Sequence, residues 1–209
     1  MHLLEIALEE ALQQGECALC WLAQRQLIRR VNSLLNEHLL DPQWRQSLRE
    51  GSGFCPSHAH LLLTRGHVLS LSLIAEDVLS AAPLLATQRK PRIWHCQLCE
   101  AQAQDVAQSA ERLAQMLCTP QWRARYAQSR GLCLPHLQMV LGYTQGEVRR
   151  WLLEDESQRW QHLRQQLQEV VRKHDYRFQQ EPWGDETGSW RRAFHKLYGL
   201  PIEEVHHER

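Results

Sequence analysis

The chain has 209 residues and a mass of 24.5 kDa, and its 24 Lys and Arg residues balance 24 Asp and Glu residues. This length suits one domain, or two small ones, with a core large enough to form without disulfides. Because the formal net charge is zero, nothing draws the whole chain to polyanions. A general nucleic-acid binder and an anionic-lipid binder are both disfavoured.

The start of the chain, residues 1–10, has no basic segment followed by an apolar one, so we predict no signal peptide and a cytoplasmic location. The longest apolar stretch, around residues 68–75, is broken by serines and is far shorter than the roughly 20 residues of a spanning helix. We therefore expect no membrane association. In a reducing compartment, seven cysteines indicate metal ligands or reactive thiols rather than a disulfide framework.

Helical periodicity dominates the first part of the chain, and no alternating Val, Ile and Thr pattern predicts a strand. An N-terminal helix is predicted to end near Gly15. Two long helices carry apolar residues at helical spacing over residues 27–39 and 103–117. Pro83 and the later Lys90-Pro91 pair mark a hinge between the two parts of the chain that contain these helices.

The C-terminal part of the chain is also predicted to be helical. A long helix over residues 147–180 is broken by the segment Glu181-Pro-Trp-Gly184. A last short helix runs from about residue 187 to 198, and Gly199 closes it.

An internal repeat organises the chain between these ends. Three motifs recur in the same order at an offset of 78 or 79 residues. They are Cys17-x2-Cys20 with Cys96-x2-Cys99, Pro42-Gln-Trp-Arg with Pro120-Gln-Trp-Arg, and Gly53-Phe-Cys55-x2-His58 with Gly131-Leu-Cys133-x2-His136. We interpret them as two copies of one module, at about residues 15–85 and 94–146. The modules form a domain over residues 1–146, and a C-terminal helical extension over residues 147–209 is expected to pack on the same domain.

The recurring Cys and His pairs predict two metal sites. Three thiolates and one imidazole form the Cys3His set that tetrahedral Zn2+ accepts. The predicted ligands are Cys17, Cys20, Cys55, His58, Cys96, Cys99, Cys133 and His136. A site inside one module closes a loop of about 35 residues, although the spacing also allows the first pair of one module to combine with the second pair of the other. Each pair is predicted to lie at the start of a helix, where free N–H groups stabilise thiolates.

Alternatives to zinc remain open at this stage. The same donors can hold an iron–sulfur cluster, and C-x2-C pairs also serve thiol redox chemistry, although the expected βαβ context is missing. His95 is at most an accessory ligand, and Cys118 is expected to be packed without a metal. Trp44 and Trp122 occupy equivalent repeat positions, which favours a shared packing role.

The motifs resemble those of an uncharacterised prokaryotic family, classified as a domain of unknown function, with duplicated C-x2-C and G-F-C-x2-H motifs. The residues that carry the resemblance are Cys17-x2-Cys20, Asn36–Pro42, Gly53-Phe-Cys55-x2-His58, Gly66-x-Val68-Leu69, Asp77-Val-Leu79 and Glu186-x3-Trp190-x2-Ala193-x3-Leu197-x-Gly199. The resemblance covers nearly the whole chain. It implies repeated Cys/His pairs on a helical scaffold and no established activity.

The sequence therefore predicts an all-α protein with two pseudo-repeated modules clamped by Cys3His sites and a C-terminal helical extension. We expect two structural Zn2+ ions in a binding or adaptor protein whose partner is another protein or a second copy. An iron–sulfur or thiol-based redox protein is the alternative. The absence of phosphate-loop, nucleophile-elbow and H-E-x-x-H motifs favours a non-enzymatic role with no catalytic residue.

Overall fold

The computed structural model describes residues 3–14, 16–50, 52–87 and 95–199, and these residues are mostly helical. In chain order the elements are α1 (Leu3–Gln14), α2 (Ala18–Ser33), a π-helical continuation of α2 (Leu34–His38), α3 (Pro42–Arg49), β1 (Ser52–Gly53), α4 (Pro56–Arg65), α5 (Val68–Ala86), β2 (His95–Cys96), α6 (Gln97–Met116), α7 (Pro120–Gln128), α8 (Leu134–Tyr143), α9 (Gly146–Lys173) and α10 (Ser189–Tyr198). The predicted all-α class is confirmed. Among the described helices, none is both long and apolar enough to cross a membrane.

The two repeats also start their short helices, α3 and α7, in the same way. Pro42 and Pro120 occupy the first turns of α3 and α7, where a missing N–H costs nothing. Asp41 additionally caps α3, because its carboxylate accepts a hydrogen bond from the Gln43 N–H at 2.9 Å. The Pro-Gln-Trp-Arg motif is therefore a helix start in both modules.

Two local expectations were wrong, and one two-residue strand pairing lies within the all-α fold. Helix α5 continues through Pro83 to Ala86, because its packing on α3 outweighs the loss of one backbone hydrogen bond. The second part of the predicted hinge, Lys90-Pro91, lies outside the described residues. Helix α9 ends at Lys173 instead of residue 180. A two-residue parallel pairing aligns Ser52 with His95 and Gly53 with Cys96, and such a short pairing leaves no alternation in the sequence.

The chain divides into two compact units that do not follow the module boundaries. Unit 1 comprises Met1–Gln24 and Val106–Arg209, and unit 2 comprises Arg25–Asp105. Each repeat therefore contributes residues to both units. This division explains how the ligand pairs combine.

Unit 1 is built around a core of Leu and Ala side chains from α1, α2, α6, α8 and α9. Tyr126, Leu132 and Leu152 are completely buried in it. Trp122, Trp151 and Trp160 pack against this core from its edge. The C-terminal helix α10 packs on α8 and α9 within the same unit.

Unit 2 has a smaller core, and a buried carboxylate fastens two of its helices. Its core includes Val31, Leu48 and Cys96. Asp77 on α5 is 2% exposed and accepts hydrogen bonds from Arg45 at 2.5 Å and from Arg49 at 2.7 Å, both on α3. Burial raises the pKa of Asp77, but the two guanidinium groups outweigh it and hold that pKa below its ordinary value.

A second buried ion pair holds the connection between α9 and α10. Lys173 Nζ donates to Glu186 Oε1 at 2.6 Å and to the Pro182 carbonyl at 2.7 Å. The Gly184 N–H donates to the same carboxylate at 2.9 Å. The hydrogen bond from Lys173, reinforced by that of Gly184, lowers the pKa of Glu186 to about 2.

We expect Glu186→Gln to destabilise unit 1 at pH 7 and to have little effect near pH 2. A carboxyl whose pKa is lower in the folded state stabilises that state above its unfolded pKa of about 4.3 and loses this contribution as pH falls through the folded value. The stability difference between the two proteins should therefore disappear between pH 4.3 and about 2. Urea unfolding of both proteins in the same buffers measures it, and a difference that is constant with pH would contradict it.

Candidate metal centres

The first group of donor atoms lies in unit 1 and combines Cys17, Cys20, Cys133 and His136. His136 Nδ1 lies 3.4 Å from Cys17 Sγ, 3.3 Å from Cys20 Sγ and 3.2 Å from Cys133 Sγ. The sulfur atoms of Cys20 and Cys133 are 3.7 Å apart. Cys17 and Cys133 are buried, so this centre, called site 1 below, is largely enclosed by protein.

The second group lies in unit 2 and combines Cys55, His58, Cys96 and Cys99. His58 Nδ1 lies 3.3 Å from Cys55 Sγ, 3.2 Å from Cys96 Sγ and 3.3 Å from Cys99 Sγ. The sulfur atoms of Cys55 and Cys99 are 3.6 Å apart. This centre, called site 2, has the same donor set and spacing as site 1, but its Cys99 is exposed.

All eight predicted ligands thus fall into two Cys3His groups, and each group takes its C-x2-C pair from one repeat and its C-x2-H pair from the other. Of the two combinations that the spacing allows, the structure has the one across repeats. The closed loop is therefore not the one of about 35 residues within a module.

Long helices separate the two pairs of the first module along the chain. Helix α2 and its π-helical continuation contain 16 and 5 residues, about 30 Å at the helical rise per residue. Helix α3 contains 8 residues and is about 12 Å long. A contact within the module would need the chain to return along α2, whereas each C-x2-H pair lies with the C-x2-C pair of the other repeat.

Local structure differs where the two repeats meet at each site. In unit 2 the β1–β2 pairing brings the segment before Cys55 next to Cys96. In unit 1 the residue before Cys17 is Glu16, and it forms an ion pair with Arg130 at the corresponding place. The Glu16–Arg130 ion pair next to site 1 thus occupies the repeat position at which site 2 has the β1–β2 backbone pairing.

Each ligand pair lies at the start of a helix, as predicted. Cys55 and Cys133 are the N-cap residues of α4 and α8. Cys17 directly precedes α2, and Cys96 directly precedes α6. Helix N-termini carry unpaired N–H groups and a partial positive charge, so both sites favour bound anions such as thiolates.

The thiols at each site strongly affect one another. Burial lowers the pKa of His136, but hydrogen bonds to Cys133 and Cys17 outweigh it and raise that pKa to about 10. At site 2, partial desolvation of the Cys99 sulfur and the neighbouring thiols of Cys55 and Cys96 raise the pKa of Cys99 to about 12. Three thiolates this close repel one another, and a divalent cation between them removes that repulsion. The donor sets therefore suit a metal ion.

A buried polar network holds the backbone segment that precedes Cys133 of site 1. Glu156 on α9 is fully buried, and its Oε1 accepts hydrogen bonds from the Tyr126 hydroxyl at 2.6 Å and from the Leu132 N–H at 2.8 Å. Its Oε2 pairs with Lys196 Nζ at 2.7 Å. Leu132 directly precedes Cys133, so this carboxylate holds the backbone that presents a ligand. Burial, together with the Glu156 charge, raises the pKa of Tyr126 well above its ordinary value.

Two glycines allow the chain to approach this network and the site closely. A Cβ on Gly131 would clash with Glu156 Oε1, and a Cβ on Gly199 would lie 2.9 Å from Cys133 Sγ. Both glycines have positive φ, 75° and 62°, a conformation that other residues rarely adopt. Gly199 therefore ends α10 directly over the thiolates of site 1.

Sequence reasoning missed the residues that support site 1. Glu156 lies among Gln, Arg and Glu residues in α9, where a charged side chain normally faces solvent, and nothing in its spacing marks it as buried. Lys196 is hidden in the same way in α10. A partial indication was Gly199, which the sequence marked only as a helix end.

The other candidates lie outside both donor groups. Cys118 is exposed, so the expectation that it is packed was wrong. The side chain of His95 lies outside the described residues. Trp44 and Trp122 have the predicted packing role, since each packs against the core of its unit, and Trp44 Nε1 also donates to Gln97 Oε1 at 2.8 Å.

Comparison with known proteins agrees with the repeat. A family model described as a family of unknown function (DUF6062) matches residues 1–84 and again residues 80–204. An uncharacterized 23.9 kDa protein in the xynA 3' region of Caldicellulosiruptor sp. (strain Rt8B.4) is 26% identical over 201 residues, which cover 91% of this chain and 98% of that protein. No solved structure matches the chain. The double match confirms the resemblance seen in the Cys and His motifs, and the chain belongs to the DUF6062 family.

Proposed function

We propose that this protein is a helical binding or adaptor protein in which each Cys3His group holds one structural Zn2+ ion. The observation that carries the proposal is the spacing of the donor atoms in both sites. The ions would join the two repeats, because every site needs one ligand pair from each of them.

The donor spacing supports a single tetrahedral ion. Zn–S bonds of about 2.3 Å and Zn–N bonds of about 2.05 Å imply S···S distances of about 3.8 Å and S···N distances of about 3.5 Å. The Cys20 and Cys133 sulfurs of site 1 are 3.7 Å apart, the Cys55 and Cys99 sulfurs of site 2 are 3.6 Å apart, and all donor atoms of each site lie within 4.8 Å of one another. Their S···N distances lie between 3.2 and 3.4 Å. A four-iron cluster, in which each ligand binds a different iron atom, needs its ligand atoms further apart.

Four protein ligands support a structural role. A catalytic zinc keeps one position open for water or substrate, whereas four protein ligands close the coordination sphere. At site 1, the backbone of Gly199 also covers the Cys133 and Cys20 thiolates. The role left for such a protein is to present its surfaces to a partner.

Thiol-based redox chemistry is the second candidate, and the exposure of Cys99 at site 2 favours it. An accessible thiolate is open to oxidants, and its oxidation would release the ion that it binds. Site 1 lacks this exposure, because its thiols are buried or half-buried. The redox alternative therefore concerns site 2 first.

Metal content and visible absorption of anaerobically purified protein test the proposal. We expect two zinc ions per chain and no visible band. Cys118→Ser is the matched control, because this exposed cysteine lies outside both donor groups and its loss should leave both ions in place. Iron with acid-labile sulfide, or protein without any metal, would contradict the proposal.

A further inference from the structure

We propose that site 2 is a site of oxidative modification, at which a peroxide converts Cys55 and Cys99 into a disulfide and releases the zinc ion. The inference rests on the zinc occupancy proposed above and names the reaction that would regulate it. Its basis is the difference between the two sites, which share one donor set and differ in the exposure of their sulfur ligands.

Cys99 is the ligand that a dissolved oxidant reaches first. Of the six ligand cysteines, Cys99 is exposed, Cys20 and Cys55 are half-buried, and the other three are buried. Cys99 lies in the first turn of α6, where the helix N-terminus favours a negatively charged sulfur. A bound zinc ion keeps this sulfur deprotonated. Since peroxides oxidise accessible thiolates, the first attack at site 2 is expected at Cys99.

Cys55 is the thiol that can complete the disulfide. Its Sγ is 3.6 Å from Cys99 Sγ, so the two atoms must approach by about 1.5 Å to reach the length of a disulfide bond. The third thiol of the site, Cys96, is 5% exposed and belongs to the hydrophobic core of unit 2. Moving Cys96 would disturb that core, whereas Cys55 is half-buried at the N-cap of α4.

The backbone holds the two segments together without the ion. The β1–β2 pairing aligns Gly53 with Cys96, two residues before Cys55 and three residues before Cys99. Its hydrogen bonds join main-chain atoms, so they do not need the metal. The second thiol therefore remains near the first after oxidation has begun, and reduction of the disulfide should restore the zinc site.

The reaction consumes one peroxide for each ion released. The Cys99 thiolate attacks one oxygen of hydrogen peroxide, the O–O bond breaks, and a sulfenic acid and hydroxide form. The Cys55 thiolate then attacks the Cys99 sulfur, the S–O bond breaks, and a second hydroxide leaves. Each thiolate loses one electron, the peroxide gains two, and two protons from solvent convert the hydroxides to water. The ion keeps one thiolate and one imidazole as protein ligands, which is too few for a closed zinc site.

Site 1 provides an internal comparison in which the same reaction is hindered. Its Cys20 and Cys133 sulfurs are 3.7 Å apart, so their spacing alone would allow a disulfide. Cys17 and Cys133 are buried, however, and the Gly199 backbone lies close to the sulfurs of Cys133 and Cys20. Accessibility, rather than sulfur spacing, should therefore decide which ion is released first.

Peroxide titration of the zinc-loaded Cys118→Ser protein tests the inference. This background removes an exposed thiol outside both donor groups, which would consume oxidant without affecting either ion. A chromogenic zinc chelator should report one ion per chain released by one equivalent of hydrogen peroxide, and the second ion should follow about tenfold more slowly or less readily still. A thiol reductant followed by added zinc should restore the original metal content.

Peptide mapping of the oxidised protein locates the disulfide. Trypsin leaves Cys96 and Cys99 in one peptide and Cys55 in another, so the expected disulfide joins two peptides and fragment ions place it on Cys99. The Cys55→Ser variant lacks the second thiol, so dimedone, which traps sulfenic acids, should label its Cys99 about fivefold or more above Cys96.

The metal content before oxidation separates the two proposals. A protein that starts with fewer than two zinc ions contradicts the zinc proposal itself. Two bound ions that excess peroxide does not release contradict the oxidation inference alone. A first disulfide within site 1, or one between Cys96 and Cys99, would also overturn the inference, because accessibility and spacing would then not select Cys55 and Cys99.

Discussion

Replacing Cys17 and Cys133 together by serine is expected to leave one zinc ion per chain, whereas replacing Cys17 and Cys55 together removes both. The first pair of residues belongs to one site although it comes from two repeats, and the second pair belongs to two sites although it comes from one repeat. Mass spectrometry of the metal per mole of purified protein measures the difference. Each variant should also unfold at a lower urea concentration than the unchanged protein, and the variant that loses both ions should be the less stable of the two. The reason is that the free energy of metal binding contributes to folding in such sites.

The reciprocal pair provides the control for this experiment. Cys55→Ser with Cys96→Ser should retain one ion, since both residues belong to site 2. If Cys17→Ser with Cys55→Ser retained one ion instead, the ligands would combine within modules. Where a double variant is poorly soluble, zinc titration of the refolded protein gives the same count.

Loop length alone predicts only a small difference in metal affinity between the two sites. The contact between Cys17 and His136 closes a separation of 119 residues, and that between Cys55 and Cys99 closes 44. By the logarithmic dependence of loop entropy, this difference is worth only about 0.9 kcal/mol. A larger difference in metal retention would therefore come from the surroundings, which enclose site 1 and leave Cys99 exposed.

The sequence was sufficient to predict the helical class, the repeat and the eight Cys and His residues that lie together in the two groups, because C-x2-C and C-x2-H pairs have a fixed spacing. It was not sufficient to predict how the pairs combine, since both combinations use the same spacing. That choice depends on where the chain runs after α2, which continues through a π-helical segment to His38, and motif spacing does not encode that path. Periodicity predicts helix ends too loosely for such an argument.

The buried polar residues show a second limit of sequence patterns. Asp77 and Glu156 occupy neighbouring repeat positions, since Val78 is the equivalent of Glu156. Asp77 binds two arginines of α3, whereas Glu156 binds a tyrosine and a lysine. Most other charged residues of these two helices are exposed or partly exposed, so only the packing of the neighbouring helices identifies Asp77 and Glu156 as buried. The repeat in the sequence therefore predicts the shared helical fold of the two modules but not these individual side-chain contacts.

Glu156→Ala is expected to lower the free energy of unfolding by about 3–5 kcal/mol, because it leaves the Lys196 ammonium, whose side chain is 10% exposed, without its counter-charge and with the Arg130 carbonyl as its remaining acceptor. It also removes the acceptor of the Tyr126 hydroxyl and of the Leu132 N–H. Since Leu132 directly precedes Cys133, zinc affinity should fall at site 1 and stay unchanged at site 2. Urea unfolding measures the first effect, and competition with a zinc chelator measures the second.

Two variants separate the ion pair from general damage to α9. Glu154→Ala changes an exposed glutamate of the same helix and should cost less than about 0.5 kcal/mol. Glu156→Val combined with Lys196→Leu replaces the ion pair by two apolar side chains, and valine is also the residue at the equivalent position 78 of the first repeat. This double variant should be more stable than Glu156→Ala, as apolar replacements of buried ion pairs often are. Recovery should be incomplete, because Tyr126 and Leu132 still lack an acceptor. If Glu156→Ala were no more destabilising than Glu154→Ala, the buried carboxylate would not be what holds α10 over site 1.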